Sequence, residues 1–72
     1  MNMNGSLLHI RYGGRSYDVP LLDLDIGPGS SDDQIRRAVA AYLEEPQSKL
    51  RPFVVERHDN GNVTIRPEAV FG

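Results

Sequence analysis

Gly13 and Gly14 constrain this chain more than any other pair of residues. They separate Leu7–Tyr12 from a second stretch that begins at Arg15, and in both stretches apolar and polar residues alternate. Alternation at period two is the pattern of a strand with one face buried. A two-residue hairpin turn of type I′ needs positive φ at both central positions, which glycine adopts without strain. Counting outward from the turn sets Tyr12 opposite Arg15, Ile10 opposite Tyr17 and Leu8 opposite Val19. Ile10, Tyr17, Leu8 and Val19 then share one face, while the other pairs His9 with Asp18 and Arg11 with Ser16. A slip of one residue would turn every apolar side chain to the wrong side, so pattern and turn agree on the register.

Pro20 cannot donate to a ladder, which predicts that this second strand lies at a sheet edge. Leu22, Leu24 and Ile26 alternate with Asp23 and Asp25, and are read as a continuation of the strand up to Gly27-Pro28-Gly29. Ser31-Asp32-Asp33-Gln34 has the form of a capping box, with acidic residues where the helix dipole favours them. Ile35, Ala38, Val39, Tyr42 and Leu43 follow as an apolar stripe at helical spacing. The helix is predicted to run for about 14 residues to Pro46, with Asp32–Arg36 and Asp33–Arg37 as i, i+4 pairs.

Phe53–His58 and Val63–Arg66 read as two further strands around Asp59-Asn60-Gly61-Asn62. A two-residue Asn60-Gly61 turn would place Val63 and Ile65 on the face of Glu56 and His58. A three-residue loop with Gly61 left-handed instead sets Val63 opposite Arg57, Ile65 opposite Val55 and Pro67 opposite Phe53. Only that register gathers Phe53, Val55, Val63 and Ile65 on one face, so the bulged loop is expected. The predicted fold class is α+β: a ββαββ, β-grasp-like mixed sheet of four strands in the order 2-1-4-3, packed on one helix. Its expected core is Leu8, Ile10, Tyr17, Val19, Leu24, Ile35, Val39, Tyr42, Leu43, Phe53, Val55, Val63 and Ile65.

Residues 1–72 are read as a single domain, with 1–6 a frayed, disordered tail. A chain of 72 residues without cysteine has no disulfide framework, so its apolar core or a partner must hold it. The formal charge of −2 lacks the basic excess of a nucleic-acid coat, so nucleic acid is not the expected partner. There is no apolar run near membrane-spanning length and no signal-peptide core after Met1. No membrane association is expected, and the expected location is the cytoplasm.

The hairpin Leu7–Asp18, the helix from Ser31, its exit at Glu45-Pro46-Gln47 and the strand opening Phe53-Val54-Val55 together resemble the ubiquitin-like β-grasp superfold over about Leu7 to Arg66. The resemblance lies in the order of elements rather than in a motif. It implies a modifier, a sulfur carrier or an interaction domain. Modifiers and carriers end in Gly-Gly, whereas this chain ends in Phe71-Gly72, and it has no obvious fifth strand at the ubiquitin spacing.

No nucleophile–base set is visible, and Ser31 is explained as a helix cap. Gly27-Pro28-Gly29 lacks the Gly-Lys-Ser/Thr of a phosphate loop. Asp23-x-Asp25-x-Gly27 hints at a calcium loop, but Pro28 and Gln34 stand where an EF-hand needs Gly and Glu. His9, His58 and Glu56 would suit zinc only if they converged, and the strand order keeps His58 off the strand next to His9. The expectation is therefore no enzymatic activity, no cofactor and no metal. Arg11, Arg66, His9 and Glu56 on the open sheet face are the candidate binding residues, since exposed arginine suits carboxylate, phosphate or interface contacts. Phe71 and Gly72 are the candidates in the tail, where Phe71 is expected to dock. Three functions follow: a non-catalytic module that binds another protein, a modifier or sulfur carrier acting through Gly72, and a nucleic-acid-associated regulator using Arg11, Arg66, Arg51 and Arg57.

Overall fold

The computed structural model describes residues 6–68. Strand β1 (Leu7–Tyr12) turns through Gly13-Gly14 into β2 (Arg15–Pro20), and the two glycines have φ of +59° and +77°. Helix α1 (Asp32–Leu43) follows, then β3 (Phe53–Arg57) and β4 (Val63–Pro67). The sheet order is β2-β1-β4-β3, with β4 parallel to β1 and the other neighbours antiparallel. This is the expected α+β, β-grasp-like arrangement.

Both hairpin registers are those counted from the turns. Leu8 faces Val19 and Ile10 faces Tyr17 in the first, while Val55 faces Ile65 and Arg57 faces Val63 in the second. Gly61 has φ +89°, and His58 N–H donates to the Asn62 carbonyl beyond it, which closes the bulged three-residue loop. Alternate residues of the two hairpins therefore present Leu8, Ile10, Val19, Phe53, Val63 and Ile65 to the helix, which adds Ile35, Val39 and Ala40. Tyr12 stacks obliquely on Phe53 at 5.8 Å and closes one end of this core.

The helix begins where its capping box requires. Gln34 N–H donates to Ser31 Oγ, and Ser31 N–H donates to Gln34 Oε1. It ends at Leu43, three residues before Pro46, because Glu44 turns left-handed and its N–H, with that of Glu45, bonds back to the last turn. Such a closure satisfies carbonyls that would otherwise be orphaned. The expected i, i+4 ion pairs do not form. Arg36 pairs with Asp33 at 3.1 Å, and Asp32 pairs instead with Arg57 of β3 at 2.7 Å. Arg57 also donates to the carbonyls of Pro28 and Ser30, so it fastens the helix entry to the sheet edge.

Three other expectations are corrected. The segment after Pro20 is not strand: Leu21–Leu24 forms a 3-10 turn closed by left-handed Asp25. Its threefold period points Leu21 and Leu24 inward and leaves Leu22 76% exposed. Tyr42, expected in the core, is 44% exposed, since it stands edge-on against Tyr17 at the rim. Leu50 takes a core position instead, delivered by a second 3-10 turn (Gln47–Leu50) that Pro46 starts. Ser6, placed in the tail, is held at the fold, where its carbonyl accepts from Leu21 N–H. The expected docking of Phe71 concerns residues outside those described, as do 1–5.

Candidate functional site

The helix covers one face of the sheet and leaves the other open. Along β1 the open face receives Leu7, His9 and Arg11, along β2 Ser16 and Asp18, along β4 Thr64 and Arg66, and along β3 Val54 and Glu56. The register arranges them in cross-sheet rows. One row reads Asp18, His9, Thr64, Glu56. The next, one step toward the Gly13-Gly14 turn, reads Ser16, Arg11, Arg66, Val54. The fold thus brings all four sequence-predicted binding residues onto one surface, with Arg11 and Arg66 as neighbours on parallel strands.

Most of the charge on this face is already matched. His9 Nδ1 lies 2.5 Å from Asp18 Oδ1, the cross-strand pair expected from the first hairpin. Arg66 clasps Glu56 with two bonds, Nε to Oε1 at 3.2 Å and Nη2 to Oε2 at 3.0 Å. This forked contact suits the planar guanidinium. The hydrogen bond and then the charge of Arg66 hold the Glu56 carboxyl below the usual carboxylate range. The same bond and charge of Glu56 push the Arg66 guanidinium further up, with a smaller contribution from Glu68. His58 Nε2 sits 2.9 Å from Thr64 Oγ1. Each histidine has its own partner, and among the described residues no group of three potential metal ligands gathers.

Arg11 differs from its neighbours. It is exposed, and its side chain has no hydrogen bond or ion pair among the described residues. Beside it the face ends in a cleft of about 340 Å³ lined by Arg11, Arg66, Tyr12, Pro67, the Gly13-Gly14 turn and Arg15. Arg15 is not among the residues that sheet face alone selects, because by register it belongs to the helix side. Its position next to the turn was the available signal, since the end of a hairpin can be reached from both faces. The Tyr12 phenol, on the core side, is pushed up by partial burial and then by the Glu45 carboxylate.

The four arginines grouped for a nucleic-acid contact do not form one patch. Arg57 is engaged on the helix side with Asp32, and Arg51 lines a separate depression with Asp33, Arg36 and Arg37. Among the described residues no helix is long and apolar enough to cross a membrane.

No protein-family model matches the chain, and no curated protein and no solved structure matches it.

Proposed function

We propose that this chain is a small, non-catalytic protein-interaction module of the ubiquitin-like β-grasp type, working in the cytoplasm through its open sheet face. One observation carries the reading. The helix protects one side of the sheet, while the other exposes an ordered polar surface on which Arg11 alone among the charged side chains lacks a partner among the described residues. Side chains held in register by a sheet are positioned before a partner arrives, which lowers the entropy lost on binding. The charged pairs around Arg11 fix its surroundings and leave its guanidinium to engage a partner.

Site-specific photo-crosslinking in cells tests the reading. A crosslinking residue at Ser16, on the open face, is expected to give a discrete protein adduct that disappears in an Arg11→Glu background. The same residue at Ala41, exposed on the helix, is expected to give none. Adducts from Ala41 alone, or none from Ser16, would overturn the proposal. A covalent conjugate through Gly72, detected by intact mass without any crosslinker, would point instead to the modifier or carrier reading.

A further inference from the structure

We propose that the cleft at the turn end of the sheet binds the carboxylates of an acidic peptide segment. This rests on the interaction-module reading and gives its partner a chemistry. β1 and β4 run parallel, so both finish at the same end of the sheet, where Tyr12 and Pro67 flank the cleft. Arg11 and Arg66 belong to the open face and Arg15 to the other side of the turn, and all three line the cleft of about 340 Å³, where Arg66 is already engaged by Glu56 and by the Pro67 carbonyl. Glu56 engages Arg66, and Glu68 acts on Arg66 as well. Arg11 and Arg15 have no acidic partner among the described residues. A chain with a formal charge of −2 thus holds two arginines without an acidic partner among the described residues at one end of its sheet, with Glu45 set against the Tyr12 phenol on the helix side.

The turn itself contributes donors. The Gly13 and Gly14 N–H groups make no hydrogen bond among the described residues, and beyond the adjoining residues no heavy atom lies within 4 Å of where a Cβ would stand on either. Main-chain amides open to approach, set among fixed positive charges, form a concavity suited to an anion. Carboxylate is an anion that fits. A guanidinium fork matches it in two parallel bonds, as Arg66 already does with Glu56. The cleft lies near the lower limit for small-ligand sites, enough for one or two acidic side chains. A nucleic-acid backbone would continue from it onto Asp18 and Glu56, which repel phosphate.

Nitrogen–proton correlation spectra of the whole chain provide the test. The probe is a blocked oligoglutamate peptide, with blocked oligoglutamine and a short oligothymidylate as comparisons. Oligoglutamate is expected to shift the Gly13 and Gly14 amides to saturation. Arg11→Ala and Arg15→Ala, both at exposed positions, should each weaken that binding about tenfold. Arg11→Lys should recover part of the loss, since it keeps charge but not the fork. Equal shifts with oligoglutamine, no response at the two glycines, unchanged affinity in the arginine variants, or tighter binding of oligothymidylate would each overturn the proposal. The broader reading is judged separately: a Ser16 crosslink that persists when oligoglutamate fails to bind leaves the module standing and removes only the acidic partner.

Discussion

At Gly61 the main chain has φ +89°, and a Cβ there would lie 2.8 Å from Ser6 Oγ. The serine hydroxyl can rotate aside, so backbone conformation sets most of the cost of a side chain at this position. Gly61→Ala is expected to destabilise the domain by about 1–2 kcal/mol. Its control must be chosen with care. Asn62 is unsuitable, because its Oδ1 accepts the Leu7 N–H at 2.9 Å and ties the loop to the start of β1. Asn60 is unsuitable too, since its Oδ1 accepts the Asn62 N–H. Asp59 is exposed and has no hydrogen bond among the described residues, so Asp59→Ala should stay within about 0.5 kcal/mol of the parent. Denaturant melts of the three proteins check this. Equal midpoints for Gly61→Ala and Asp59→Ala would contradict the strained position.

Elements were legible in the sequence wherever two signals had to agree. Each hairpin register rests on a turn and on an alternating pattern, and the helix start rests on a cap and on a stripe. The segment Leu21–Leu24 offered only one signal, and it misled. Leu22, Leu24 and Ile26 alternate as a strand would, but Pro20 removes the ladder donor just before them, and the chain folds into a tighter turn that buries Leu21. Leu24 points inward under either period and could not discriminate. Leu50 was missed because an isolated leucine among polar residues has no period at all. The open-face residues and the His9–Asp18 pair were legible because register fixes the face; the pairings of Arg66 on that face and of Arg57 on the helix side were not, because their rotamers are decided by Glu56 and Asp32 on other elements. Leu21→Ala and Leu22→Ala separate the two accounts of this segment. Loss of the buried Leu21 side chain should cost about 2–5 kcal/mol through lost burial and a residual void. Leu22→Ala should remain within about 0.5 kcal/mol, being a surface change. A larger loss from Leu22→Ala in a thermal melt would restore the strand.

For the whole molecule, a proline limits one sheet edge, an arginine engages the other, and ion pairs lace the open face. β2 ends at Pro20, which limits pairing along that edge. At β3, Arg36 reaches from the helix to donate twice to the Phe53 carbonyl, at 3.1 and 2.9 Å. Amides of Glu68 and His58 mark which β3 positions pair with β4, since Glu68 N–H meets the Pro52 carbonyl and His58 N–H meets that of Asn62. By alternation Phe53, Val55 and Arg57 direct their main-chain groups outward, so Arg36 blocks one acceptor of an otherwise open edge. On the open face the Arg66–Glu56 fork joins β4 to β3, and it gives the fold a dependence on acid. Because the folded carboxyl of Glu56 titrates below its ordinary range, the folded state takes up this proton less readily than the unfolded chain. The stabilisation is therefore complete above the ordinary carboxylate range and is lost as pH falls through the lowered folded value. Arg66 stays charged throughout, so protonation of Glu56 governs this contribution, with a smaller one in the same direction from His58. The other acid pairs, Asp18–His9, Asp33–Arg36 and Asp32–Arg57, are common to parent and variant and cancel in a comparison. Glu56→Gln should lower the melting temperature near neutral pH and bring parent and variant together as the solution is acidified below the carboxylate range. Added salt should narrow the neutral-pH gap, because both side chains are partly exposed. Parallel curves of melting temperature against pH for the two proteins would show that the fork contributes nothing to folding and serves only to orient Arg66 at the cleft.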